Sequence, residues 1–146
     1  SETLEKSPSP MSIALRYPVA HVYESFLGLD STVVRNLELL ETLRDGSPVG
    51  SLLWAINRTK TNMGTRMLRE WLLSPLRDPE EIEQRLDAVD SLVSNSSNTR
   101  TKLQNLLKKF ADLQRLVARV AGNRVNPKDL LRLAESLDLL PDIYTE

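Results

Sequence analysis

The sequence predicts an all-α protein, an orthogonal multi-helix bundle, and three observations carry that expectation. The composition is rich in Leu, Arg, Glu and Ala with only five Gly, which favours helices over the Val, Thr and aromatic bias of strands. From Asp30 onward, apolar residues return at the 3.6-residue period of helices that bury one face. Discrete starts are written as a capping residue followed by proline, at Asp78-Pro79 and again at Asn126-Pro127. With 146 residues, the chain has the size of one domain and can bury a hydrophobic core.

Residues 1–27 read as a flexible tail and an extended lead-in to a helical domain over 28–146. Residues 1–10 hold three Ser and two Pro around Leu4, too little apolar matter to offset the entropy of ordering them. Ile13, Leu15, Val19, Val22 and Tyr23 then fall irregularly around Pro18, as suits an extended segment lying on a helical body. A first helix is expected from Asp30 through Val33, Leu37, Leu40 and Leu43 to the stop at Asp45-Gly46. A short second helix takes Ser51 to about Asn57.

The third helix runs from about Asn62 to Leu73, where Pro75 forbids continuation. Gly64, Met67, Leu68, Trp71 and Leu72 share one of its sides at 100° per residue. A glycine in such a stripe costs ~1 kcal/mol against alanine, so Gly64 is expected to admit another backbone at close range and, with Trp71, to set helix packing. Asp78 as N-cap, Pro79 at N1 and Glu81 at N3 read as a capping box that fixes the start of a fourth helix. That helix buries Ile82, Leu86, Val89, Leu92 and Val93, and Ser94–Asn98 reads as a loop.

Beyond it, Leu103, Leu106, Leu107 and Phe110 form one stripe and Leu113, Leu116, Val117 and Val120 another, with a break near Asp112 and a stop at Gly122-Asn123. The last helix runs from Pro127 through Leu130, Leu133, Ala134 and Leu137 to Pro141. Leu131 and Leu139 point away from its inward stripe, so this end of the chain is expected to seek further partners or to associate with itself.

The same residues exclude several chemistries. The chain has no Cys, which removes disulfides, thiolate zinc sites and a cysteine nucleophile together. His21 is the only histidine and has no ligand set around it, so no metal is expected. Gly46-Ser-Pro-Val-Gly50-Ser-Leu lacks the Lys and Ser/Thr of a phosphate-binding loop. Glu80-Glu81 sit where a helix dipole favours acids. The longest uninterrupted apolar run, Leu52–Ile56, is far short of the ~20 residues of a membrane helix, and a cytoplasmic protein is expected.

Arg85 lies on the apolar stripe of the fourth helix. It is either a stem that snorkels past the core edge or a guanidinium tied to a carboxylate of a neighbouring helix. Charge is segregated: residues 100–132 carry nine basic side chains and two acids, and residues 78–90 carry six acids and one base. Helices attracting each other, or plain solvated faces, explain this more simply than a phosphate-facing patch. The opening at Ser1 and the ending in mid-pattern suggest a piece of something longer.

Three stretches carry a resemblance: LDSTVVRNLELLETLRDG, GSLLWAINRTKTNMGTRMLREWLLSPLRDPEEIEQRLDAVDSL and DLQRLVARVAGNRVNPKDLLRL. In this order, between Phe26 and Pro141, they resemble the helical core domain (domain III) of the MutS family of DNA mismatch-repair ATPases, in its bacterial form. Val33 and Leu27 depart from the family pattern, which has Thr and commonly Met there. The resemblance implies the N-terminal part of that core, before a lever and a DNA clamp, with a structural role that couples the ATPase to the clamp. It implies a parent that is a homodimer, recognises mismatched double-stranded DNA, uses ATP and magnesium, and works with other mismatch-repair proteins.

The family's mismatch-reading Phe-x-Glu is matched neither by Phe26-Leu-Gly28 nor by Phe110-Ala-Asp112, and no catalytic, cofactor or metal residue maps onto this chain. It is therefore expected not to be an enzyme by itself. Gly64, Trp71, Asp78 and Arg85 remain as structural candidates. The rival reading is a stand-alone helical module that binds nucleic acid non-specifically through the basic stretch 100–132.

Overall fold

The computed structural model describes residues 25–94 and 97–144. The expected tail and most of the lead-in, with Leu4 and His21, lie outside the described residues. Within them the chain is all-α, with eight helices: α1 (Ser31–Asn36), α2 (Leu52–Ile56), α3 (Asn62–Leu73), α4 (Pro79–Ser94), α5 (Ser97–Leu107), α6 (Leu113–Ala121), α7 (Pro127–Asp138) and α8 (Leu140–Tyr144). The extended pairing among the described residues is an isolated antiparallel bridge between Phe26 and Leu76. Leu27 N–H donates to the Pro75 carbonyl at 2.8 Å and Arg77 N–H to that of Ser25 at 3.1 Å, so the end of the lead-in is stitched to the α3–α4 connection.

Helix starts follow the capping residues. The Asp30 carboxylate accepts from Val33 N–H at 2.7 Å and the Thr61 hydroxyl from Gly64 N–H at 2.9 Å, satisfying amides that have no partner inside the helix. Ser51 does the same for Trp54 while donating its own proton to the Pro48 carbonyl, which explains why so small a polar residue is buried. At α4, Asp78 accepts from Glu80 N–H at 2.9 Å where the sequence pointed to Glu81. The reciprocal capping box closes at α7, between Asn126 and Asp129.

Three boundaries differ from the sequence reading. The first helix ends at Asn36, not near Asp45, because Glu38 takes a positive φ of 49° and its carboxylate receives Leu43 N–H at 2.6 Å. The Thr42 hydroxyl joins Asp45, and Ser47 N–H turns back to Thr42 and Asp45. These side chains offer the backbone an alternative to helical bonding, and they hold 38–50 as a folded turn. Leu52 and Leu53 N–H then donate to the carbonyls of Glu38 and Leu39 at 2.9 Å each, docking the start of α2 on that turn.

Of the expected loop Ser94–Asn98, Ser94 closes α4 and Ser97 and Asn98 open α5, and residues 95–96 lie outside the described residues. Pro141 does not end the last helix. It stands in the first turn of α8, where a missing N–H costs nothing, and Leu139 caps α7.

The helices pack α2 on α3, α4 on α5 and α6 on α7, and α8 touches both α5 and α7. Few apolar side chains are covered: Leu39 and Leu116 are the buried ones among the described residues. Leu86, Val89 and Val93 on α4 and Leu131 on α7 stand more than half exposed. The amphipathic faces foreseen from the sequence are present, and several look outward.

Candidate functional site: an ion-pair clasp between helices

The most fully built polar cluster joins α3 to α6. Asp112 is the N-cap of α6, its carboxylate accepting Arg115 N–H at 3.3 Å. The same carboxylate receives the Arg66 guanidinium as a fork, with Nη1 2.7 Å from Oδ2 and Nη2 2.8 Å from Oδ1. Gln114 Oε1 accepts from Arg66 Nε at 3.2 Å and Nη2 at 2.6 Å, holding the fork in plane. Arg115 Nε adds a longer contact to Asp112 Oδ2 at 3.5 Å. Paired planar groups of this kind give direction as well as charge.

The Asp112 side chain keeps only 13% of its surface exposed. The Arg66 hydrogen bonds outweigh the opposing effect of burial and, with the Arg115 amide and both arginine charges, hold its carboxyl at about 2. Asp112 is therefore ionised throughout the neutral range, and the clasp is a fixed joint there.

A second polar joint ties α6 to α7. Asp129, almost fully buried, closes the capping box with Asn126 and lies 3.3 Å from Arg119 Nη1. Ser136, also buried, accepts Ala111 N–H at 3.0 Å and donates to the Arg132 carbonyl at 2.8 Å. Every buried side-chain polar atom among the described residues has a partner, as burial without one would be costly. The segment 108–112 is thereby gripped from α3 on one side and α7 on the other.

The four residues singled out from the sequence lie elsewhere. Trp71 is 43% exposed, and the Arg85 guanidinium carbon sits 4.0 Å from its ring centroid. The partner of Arg85 is thus the indole face, not a carboxylate. Phe26, Glu70 and Ser74 complete this small site beside the Phe26–Leu76 bridge. A Cβ on Gly64 would meet Thr61 Oγ1 at 3.0 Å and Thr59 Cβ at 3.4 Å. Gly64 accommodates its own cap hydroxyl, not a second backbone. Asp78 heads α4 as described above.

Arg66 and Asp112 escaped the sequence reading. Asp112 was marked by the interrupted periodicity, but its partner lies 46 residues away on another helix, and no local spacing announces such a pair. Among the described residues, no group of three or more His, Cys, Asp and Glu could hold a metal ion, and no helix is long and apolar enough to cross a membrane.

The described residues form an all-α domain whose helices are tied by ion pairs and whose apolar faces turn outward. Residues 32–146 match MutS domain III, and the chain belongs to that family. It is 46% identical over 142 residues to the DNA mismatch repair protein MutS of Synechococcus elongatus, covering 97% of this chain and 16% of that protein. To the protein of the same name from Thermosynechococcus vestitus it is 45% identical over 139 residues, 95% of this chain and 15% of the relative. The corresponding protein of Caldanaerobacter subterraneus is 48% identical over 119 residues, 82% of this chain and 14% of the relative. The chain spans about one-sixth of the length of these relatives.

Proposed function

We propose that the chain is the first half of the helical core of a MutS-type protein that recognises mismatched DNA and uses ATP, and that its work there is mechanical. In this reading it passes nucleotide-dependent movement from the ATPase to the clamp that holds DNA. ATP and magnesium are held by other domains of the parent, and the chain performs no chemistry itself. The parent acts as a cytoplasmic homodimer with further mismatch-repair proteins.

The observation that carries this reading is the pairing of the family match with the exposed apolar faces of α4 and α7. Exposed apolar helix faces of that kind fit a segment covered by neighbouring parts of a longer protein. The Arg66–Asp112 clasp supplies what a force-bearing segment needs, a directional link that keeps α3 and α6 in register.

A chimera tests it: this chain replaces the matching segment of the Synechococcus elongatus protein, and spontaneous mutation frequency is measured in a strain lacking its own MutS. The chimera should lower the frequency to the level given by the unaltered protein. A stably expressed chimera no better than an empty vector would overturn the reading.

A further inference from the structure

Nine basic side chains in residues 100–132 are spread along the sequence, yet the fold gathers four of them around one cleft. The cleft, about 440 Å³, opens between the start of α3, the 108–112 link, α6 and α7. Lys109 comes from the link, Arg115 and Arg119 from α6, and Arg132 from α7. On α6 the cleft-facing positions are Asp112, Arg115, Leu116 and Arg119, the i, i+3, i+4, i+7 spacing of one helical face. Leu116 is buried and falls between Arg115 and Arg119 in that spacing.

The carboxylates of the lining are Asp112 and Glu135, and Asp112 is already taken up by the Arg66 fork. Arg119 is shared with Asp129 at 3.3 Å, outside the lining. Lys109 and Arg132 take part in no ion pair among the described residues. Asn62, the first residue of the twelve-residue α3, also lines the cleft, bringing the positive end of that helix dipole.

We infer that this cleft is a binding site for a phosphate group. Phosphate offers acceptor oxygens in several directions, and Lys109 from the link and Arg132 from α7, flanked by Arg115 and Arg119 of α6 that already touch Asp112 at 3.5 Å and Asp129 at 3.3 Å, match that geometry better than they match a single planar carboxylate. The volume falls in the range of about 300–1,000 Å³ typical of small-ligand sites, so the group arrives with more of its molecule attached. Two sources share this chemistry: a phosphodiester of a nucleic-acid backbone, or a free phosphate compound. The inference stands apart from the core-segment reading, which does not require the cleft to be filled.

The test uses the 146-residue chain with inorganic pyrophosphate as probe, followed by amide chemical shifts and calorimetry. Pyrophosphate should perturb the amides of Lys109, Ala111, Arg115 and Arg132 together, and its affinity should fall with rising salt. The double variant K109Q/R132Q, which leaves both polar joints intact, should bind at least tenfold more weakly with an unchanged helical spectrum. The control R100Q/K102Q, outside the cleft, should bind as the parent chain does.

Shifts spread equally over Arg100, Arg124 and Lys128, or an affinity unchanged in K109Q/R132Q, would overturn the site. A short DNA duplex then separates the sources. If it displaces pyrophosphate, the phosphate belongs to nucleic acid. If pyrophosphate stays bound while duplex is present in excess, the source is a free phosphate compound.

Discussion

At Asp112, two tasks fall on one carboxylate: capping α6 and receiving Arg66. Asp112→Ala should therefore cost more than the ~1 kcal/mol of an ordinary lost cap, because it also strands a guanidinium that is two-thirds covered. Asp112→Asn keeps a capping oxygen and should fall between that variant and the parent chain in denaturant melts. If Asp112→Ala proved no worse than a simple cap loss, the clasp would be idle. Acid gives a second check. The Asp112 carboxyl is depressed from its ordinary 3.8 to about 2, so its contribution is complete above about pH 4 and is lost as pH falls toward 2. Asp112→Asn should flatten the acid limb of the stability curve in that window. Trp71 shows a different balance. Being 43% exposed and stacked under Arg85, it should cost well below the ~3–5 kcal/mol of a core aromatic when changed to Ala in this chain. A loss of full core size would mean that its ring is covered in solution.

Among the elements, α3 and α7 show what a sequence makes legible. The Asn126-Pro127 start of α7 is visible in the chain because capping is a local bargain between residues three apart. The end of α1 is not visible there, because Val33, Leu37, Leu40 and Leu43 satisfy helical periodicity whether or not the backbone follows it. What ends it is Glu38 at positive φ and the Thr42–Asp45–Ser47 turn, in which short polar side chains capture amides that a helix would have used. Likewise Gly64 was legible as a position needing room, but not what needs it. Gly64→Ala should bring none of the ~1 kcal/mol that helix propensity promises, because the new Cβ would press on the Thr61 cap oxygen at 3.0 Å. Thermal melts showing a clear gain would indicate that Thr61 moves aside freely. For α7, Ser136→Ala leaves the Ala111 amide without its acceptor and should cost about 1–3 kcal/mol, far above an exposed Ser→Ala change.

The outward apolar faces govern how the chain as a whole behaves. Leu86, Val89 and Val93 on α4 and Leu130, Leu131 and Leu137 on α7 are exposed, so the isolated chain should associate with itself as concentration rises. Sedimentation across a concentration series should show the mean mass increasing, and a strict monomer throughout would mean these faces are covered from within. The sequence could show that the helices are amphipathic, yet not which faces meet inside this chain, because the partners of those faces are set by tertiary contact. In a complete MutS-type protein these faces should be covered, and hydrogen exchange measures this directly. The amides of α4 and α7 should be followed in the free chain and in the chimera with the Synechococcus elongatus protein. Protection in both helices is predicted to rise by orders of magnitude in the chimera, with α3 and α6 changing less because the clasp already holds them. Equal protection of α4 and α7 in the two contexts would mean that no larger core covers this chain.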